Sequence, residues 1–197
     1  MPMITLTLPA IDISDSLAAT PQGTLRIPGQ HIPERQVTVD PATLAALITA
    51  AREAAQHAHA PYSRFRVGAA LIMADDPDAT VFSGANIENS SFGGTCCGER
   101  SALVAAASRG FRRIKYLAIS TVDSLGAPLA ERSPCGICRQ VIREFSGGEM
   151  ALDTALILID SGADDTLCEI MDIERLLPHG FSFAPPVGHG IHSPADS

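Results

Sequence analysis

Two short stretches decide the reading of this chain, TCCGER (95–100) and SPCGIC (133–138). The first sets two adjacent thiols directly before a glycine, an acid and a base. The second places two thiols three residues apart after Ser133-Pro134. Each follows a helix-start signal: GGT precedes Cys97, and a serine-proline pair precedes Cys135. A helix N-terminus presents unpaired N–H groups and the positive end of the dipole. That setting lowers a thiol's pKa and favours thiolate, the form that binds metal. Cys135 and Cys138 fall on one face of a first helical turn. Three thiolates from two helix ends, Cys97, Cys135 and Cys138, can hold Zn²⁺ and leave a fourth position open, the pattern of a catalytic rather than a structural site.

Cys97 is preferred over Cys96 because Glu99 lies two residues beyond it. Zinc lowers the pKa of a bound water towards ~7, and a nearby carboxylate takes and delivers its proton. A glutamate in the first turn of a helix is also favoured by the dipole alone. Its place between Cys97 and the P-C-x-x-C segment gives it the role of acid/base instead. A lone C-x-x-C would suit a redox pair, but that needs no third thiol. A structural zinc would need a fourth ligand, and His57 and His59 sit upstream on the first expected helix. Cys168, alone on an expected edge strand, reads as a small buried hydrophobe.

Outward from the cysteines the pattern is one of alternation. Asp40-Pro41 starts a helix carrying Leu44, Leu47, Ile48, Ala51 and Ala55 at helical spacing and ended by Pro61. FRVGAALIM (65–73) and TVFSGAN (80–86) predict two strands joined as a hairpin through DDPD (75–78). A helix over about 98–109, a strand at 114–121, a helix from near Pro134 to Phe145 and a strand at 155–160 follow. A shorter strand near 166–170 and a helix at 172–177, stopped by Pro178, close the pattern. These elements predict an α/β protein, a three-layer α/β/α sandwich with a mixed five-stranded sheet. Residues 1–38 carry Pro and Gly at close intervals and predict an irregular arm with a short strand at its end, either an ordered cap on an oligomer or a loose segment. The expected division is an arm at 1–38, a catalytic domain at 39–183 and a tail at 184–197.

At 197 residues the chain suits one domain with a real core, and 46% hydrophobic content marks it as globular. A net charge of −8 is a poor counterpart for a phosphate backbone, so no nucleic-acid partner is expected. Arg109, Arg112, Arg113 and Lys115 read as a solvated helix end. No apolar run reaches the ~18 residues of a membrane span. MPMITLTLPAIDISDS (1–16) lacks a basic n-region and a continuous apolar segment, and a cytoplasmic, reducing setting is expected. In that setting five cysteines serve better as metal or catalytic groups than as a disulfide framework.

GANIENSSFGGTCCGERSA (84–102) with SPCGICRQVIREF (133–145) resembles the small cytidine deaminases that bind zinc through three cysteines. APYSRFRVGAAL (60–71) and LLPHGF (176–181) resemble two further segments of that family in the right order, so the likeness runs from about residue 40 to 183. The resemblance implies one zinc per subunit on Cys97, Cys135 and Cys138, with Glu99 as acid/base. It implies that Arg100 hydrogen-bonds the thiolates and that Gln140 supports the same site. Zn²⁺ with three thiolates is net −1, and a guanidinium donating to sulfur offsets that charge. By the same resemblance Asn86 and Glu88 bind the ribose hydroxyls, Phe65 and Phe181 flank the pyrimidine, and the backbone N–H of Gly98 binds the substrate carbonyl. Phe181 belongs to a segment that reaches a neighbouring subunit, which implies a homotetramer with shared active sites.

Three positions depart from the family's usual residues: Phe92 for Tyr, Gly98 for Ala and Arg66 for Pro. The expected reaction is hydrolytic deamination of cytidine and 2′-deoxycytidine, a step of pyrimidine salvage. The alternatives are a deaminase of a modified cytosine nucleoside of the blasticidin type, and a non-catalytic zinc-binding protein of the same fold.

Overall fold

The computed structural model describes residues 2–147, 155–162 and 168–181. The expected tail at 184–197 therefore lies outside the described residues.

The core is a five-stranded mixed sheet. Its strands are β7 (Val67–Met73), β8 (Phe82–Ala85), β9 (Ile114–Thr121), β10 (Leu156–Asp160) and β11 (Cys168–Asp172), in the order β11-β10-β9-β7-β8. Only β9 and β10 run parallel; β7 pairs antiparallel with both β8 and β9. Alternate side chains of the sheet feed two cores, as the two-residue period of a strand requires. Ala70, Ile72, Ala118 and Leu158 meet α1 (Pro41–Ala55) through Leu44, Leu47, Ile48 and Ala51. On the opposite face Ala69, Leu71, Leu117, Ile119 and Ile157 meet α2 (Gly98–Ala107), α4 (Gly136–Glu144) and α5 (Ile173–Leu176). The expected three-layer sandwich is thus present. An unforeseen short helix, α3 (Leu129–Arg132), precedes the second cysteine segment.

α1 starts as its sequence predicts: the Asp40 side chain accepts from the N–H groups of Ala42 and Thr43, with Pro41 in the first turn. It ends at Ala55, ahead of Pro61, because the chain turns there to bond His59 N–H to the Asn86 carbonyl at 2.9 Å. Cys168 packs half-buried against the α1-side core, and burial pushes its thiol up to about 11.

The arm is not irregular. Six strands, β1 (Ile4–Leu8), β2 (Ile11–Ile13), β3 (Ser16–Thr20), β4 (Gly23–Ile27), β5 (Gln30–Ile32) and β6 (Arg35–Val39), pair as β1–β6, β2–β5 and β3–β4. The register runs unslipped from Ile4↔Val39 through Ile11↔Ile32 to Thr20↔Gly23. This is one long antiparallel ribbon folded about the TPQG turn (20–23), with proline and glycine placed at its breaks. Pro9 and Pro33 interrupt it once, Pro28-Gly29 a second time. Both strands of a two-stranded ribbon are edges, so proline costs little there.

The ribbon's base belongs to the domain core. Leu8, Val37 and Val39 are buried with α1. Arg175 of α5 pins the first break: its guanidinium donates to the carbonyls of Pro9 (2.8 Å), Pro33 (2.9 Å) and Leu8 (3.2 Å), and to the buried Asp172 carboxylate at 2.5 Å. Arg175→Ala removes these bonds and leaves Asp172 with Arg35 at 3.7 Å as its remaining ion-pair partner. The expected loss is about 3 kcal/mol, read as a lower urea midpoint together with faster tryptic cutting after Arg26. An unchanged midpoint and an unchanged cutting rate would contradict the pinning role.

Candidate active site

Both cysteine-bearing helices start at one end of the sheet. Val67, at the start of β7, pairs with Thr121, at the end of β9. α2 lies over this point, and α4 begins beside it after β9 and α3. Sites in α/β proteins form at the carboxyl ends of parallel strands, and β9 ends here.

α2 is held close to the sheet by glycines. A Cβ on Gly84 would sit 2.3 Å from the Ala102 nitrogen, and one on Gly98 would sit 2.8 Å from the Val67 carbonyl oxygen. Glycine at 98 therefore lets the helix start seat closely on β7.

The sulfurs of Cys97, Cys135 and Cys138 lie within 4.8 Å of one another, with none bridged to another. Cys97 and Cys135 are 4.0 Å apart, Cys135 and Cys138 3.5 Å. Three sulfurs on a tetrahedron around zinc at ~2.3 Å stand about 3.8 Å from each other. Among the described residues no imidazole or carboxylate joins the group. Cys97 and Cys135 are the N-caps of α2 and α4, as the helix-start signals predict. The Cys97 thiol is pulled down to about 5, chiefly by hydrogen bonding from Cys138 and next by Arg100, while Cys138 is pushed up as the proton-holding partner. The Arg100 guanidinium donates to the Cys97 sulfur at 3.9 Å and to the Thr95 carbonyl at 2.5 Å.

Cys96 points elsewhere. Its sulfur accepts from Ser101 Oγ at 3.4 Å, and its backbone exchanges two hydrogen bonds with Ile87, at 2.8 and 3.0 Å.

Glu99 is 4% exposed, and its Oε2 is buried with no hydrogen-bond partner among the described residues. Burial, with the Cys97 charge adding to it, raises this carboxyl to about 7. A buried acceptor without a partner is costly unless something at the site meets it. Three convergent thiols at two helix starts, a guanidinium on one sulfur and an unmet carboxylate beside them fit a zinc ion and a polar reactant.

The segment after β8 ties this centre to the loop 59–67. Asn86 accepts from Val67 N–H at 2.8 Å and donates to the Phe65 carbonyl at 2.9 Å. Glu88 accepts from Tyr62 N–H (3.0 Å), Ser63 N–H (3.2 Å) and Ser63 Oγ (2.5 Å), which together hold its carboxyl below the ordinary range, the serine hydroxyl most of all. Each side chain keeps hydrogen-bonding capacity beyond these bonds, since a carboxylate offers about four acceptor sites and an amide about four bonds. Arg66 donates from its backbone N–H to Asp123 Oδ2 at 2.7 Å, a bond that a proline in its place would lack. Its guanidinium adds contacts to the same carboxylate.

Phe65 is half-buried at the end of this loop. Phe92 is exposed and meets Tyr62 edge-on at 5.2 Å. Gln140 donates to the Phe181 carbonyl at 2.7 Å and so ties α4 to the end of the described chain. The Phe181 side chain is 67% exposed. Sequence reasoning singled out neither Ser63 nor Asp123. A serine following Pro61-Tyr62 in a turn was the available signal for the first; nothing in the sequence marks the second.

The family described as the cytidine and deoxycytidylate deaminase zinc-binding region matches residues 42–153. The chain belongs to that family. It is 41% identical over 136 residues to the cytidine deaminase of Sporosarcina psychrophila, covering 69% of this chain and 89% of the relative. A cytidine deaminase of Halalkalibacterium halodurans matches at the same identity, with 92% of its length covered. Among solved structures, cytidine deaminase from Burkholderia pseudomallei is 35% identical with a TM-score of 0.56, covering 69% of this chain and 97% of that one. The Mycobacterium tuberculosis enzyme is 36% identical with a TM-score of 0.54, covering 74% and 99%. The β-ribbon lies before residue 42, where the family match begins.

The metal assignment has a direct check. Purified protein is expected to carry one zinc per chain; Cys135→Ala loses it, and Cys96→Ala keeps it, by metal analysis after dialysis. Loss of zinc in Cys96→Ala with retention in Cys135→Ala would overturn the ligand set.

Proposed function

We propose that this chain catalyses the hydrolytic deamination of cytidine and 2′-deoxycytidine to the uridine products with release of ammonia. The observation that carries this reading is the unmet, buried Glu99 carboxylate beside three convergent thiols, in a chain of the cytidine deaminase family.

Cys97, Cys135 and Cys138 would hold the zinc. Bound there, the ion would supply an activated water as the nucleophile at neutral pH. Glu99 would accept the proton that the nucleophile gives up, deliver it to N3 of the pyrimidine, and then carry the nucleophile's second proton to the leaving amine. The C4–O bond forms, the C4–N4 bond breaks, and ammonia departs. Burial suits Glu99 to this work, because it raises the carboxyl's proton affinity above that of an exposed glutamate. Arg100 offsets the negative charge that three thiolates build up. Gly98 stands at the first position of α2, where its N–H has no partner within the helix; that N–H orients the pyrimidine carbonyl. Phe65 packs against the base, and Asn86 and Glu88 receive the sugar hydroxyls with the capacity their loop contacts leave.

The reading extends to assembly and setting. Phe181 is exposed at the end of the described chain, and Cys135 and Phe92 are exposed at the site. These exposures support a homotetramer in which Phe181 of one subunit covers the site of the next. The unbridged cysteines suit a reducing, cytoplasmic setting and a role in pyrimidine salvage. The matched relatives are cytidine deaminases, so the modified-cytosine and non-catalytic alternatives are not favoured.

A substrate panel followed by ammonia release tests the proposal: cytidine, 2′-deoxycytidine, CMP, cytosine, adenosine and blasticidin S. Turnover is expected for the two nucleosides and is expected to fall by about 10²–10⁴ in Glu99→Ala, with zinc content unchanged. Silence of zinc-replete protein on both nucleosides would refute the reading.

A further inference from the structure

The loop 60–66 is built around one hydroxyl. Ser63 Oγ donates to Glu88 Oε1 at 2.5 Å and accepts from Phe65 N–H at 3.1 Å. It therefore stands between the carboxylate and the backbone of the aromatic residue assigned above to the sugar and the base. The other Glu88 oxygen, Oε2, is met by two backbone N–H groups of the same loop. The loop's shape serves this arrangement. Arg64 adopts φ +58°, a left-handed conformation that non-glycine residues rarely take, and its N–H closes the turn onto the Ala60 carbonyl at 3.0 Å. With the turn so closed, the Tyr62 and Ser63 N–H groups and the Ser63 hydroxyl all face one carboxylate. Asn86 fixes the far end through the Phe65 carbonyl.

We propose that Ser63 is a positioning residue for substrate: its hydroxyl locks Glu88 in the orientation that receives the sugar hydroxyls and registers that carboxylate against Phe65. This inference rests on the assignment of Glu88 to the sugar. Glu88 is 9% exposed, so its Oε1 has few other donors at hand. Removing the serine hydroxyl frees Oε1 to rotate about an anchor on Oε2 alone and takes the acceptor from Phe65 N–H. The two backbone bonds to Oε2 remain, so the loop keeps its fold while the sugar site loses its alignment.

A mutant cycle tests the proposal with ammonia release from cytidine as readout. Ser63→Ala is expected to raise KM roughly fivefold with kcat within about twofold. Ser63→Thr, which keeps the hydroxyl, is expected to restore the wild-type KM. Ser63→Cys, close to serine in size and a weaker donor, gives an intermediate KM and stands in should the alanine variant fold poorly. Glu88→Gln is expected to raise KM by itself, and adding Ser63→Ala to it is expected to change KM no further, because both act through one carboxylate. If Glu88→Gln raises KM and Ser63→Ala does not, the positioning role fails while the sugar assignment stands. Equal effects of Ser63→Ala with and without Glu88→Gln also overturn it, since the hydroxyl would then act apart from Glu88. An unchanged KM in Glu88→Gln overturns the sugar assignment, and the inference with it.

Discussion

Three reduced cysteines within 4.8 Å of one another would repel as thiolates unless something met their charge. One of them, Cys97, is already driven towards thiolate by Cys138 and Arg100. Two helix starts aim their dipoles at the sulfurs, and a divalent cation completes the neutralisation. Much of the architecture serves this convergence. Antiparallel pairing of β7 with β9 puts Val67 beside Thr121, so the helices that follow β8 and β9 begin at one end of the sheet. Gly84 and Gly98 let α2 settle onto β7 and β8, which sinks Glu99 beside the metal ligands. The burial that raises the Glu99 carboxyl towards neutrality is a packing consequence of that close seat.

A short bridge joins the metal centre to the rest of the site. Ile87 exchanges backbone hydrogen bonds with Cys96, next to the ligand Cys97, while Asn86 and Glu88 on either side of it hold the loop 59–67. Only a few bonds therefore separate the loop from the start of α2. Asp123 adds a second brace, gripping Arg66 by backbone and guanidinium together. The ion pair fixes the backbone at a position where the resemblance leads to the expectation of proline.

The cysteine pattern was legible because its chemistry is local. Helix-start signals, a three-residue spacing and the Cys-x-Glu step each lie within one turn, and the structure assembles Cys97, Cys135 and Cys138 accordingly. Alternating strands and helices gave the sandwich and its mixed sheet. The arm misled because its order is non-local. Prolines at 9, 21, 28 and 33 read as punctuation, yet three of them sit at breaks in the ladder and the fourth in its turn. Only the unslipped pairing across the whole ribbon shows it to be one element, with the Arg175 clamp between α5 and the first break to hold it. Cys96 against Cys97 was decided by one spacing, and the structure supplies the physical reason, since Ile87 and Ser101 occupy Cys96. Gln140 reaches the Phe181 carbonyl, while Arg100 donates to the Cys97 sulfur.

The central claim is a zinc held by three sulfurs with the fourth position left for chemistry. X-ray absorption at the zinc edge of the purified protein tests it most directly, because it counts sulfur neighbours without recourse to turnover. The account predicts three sulfurs at about 2.3 Å. Four sulfurs would make the site structural, and two or fewer would break the link between the two cysteine segments from which the fold and the function were both read.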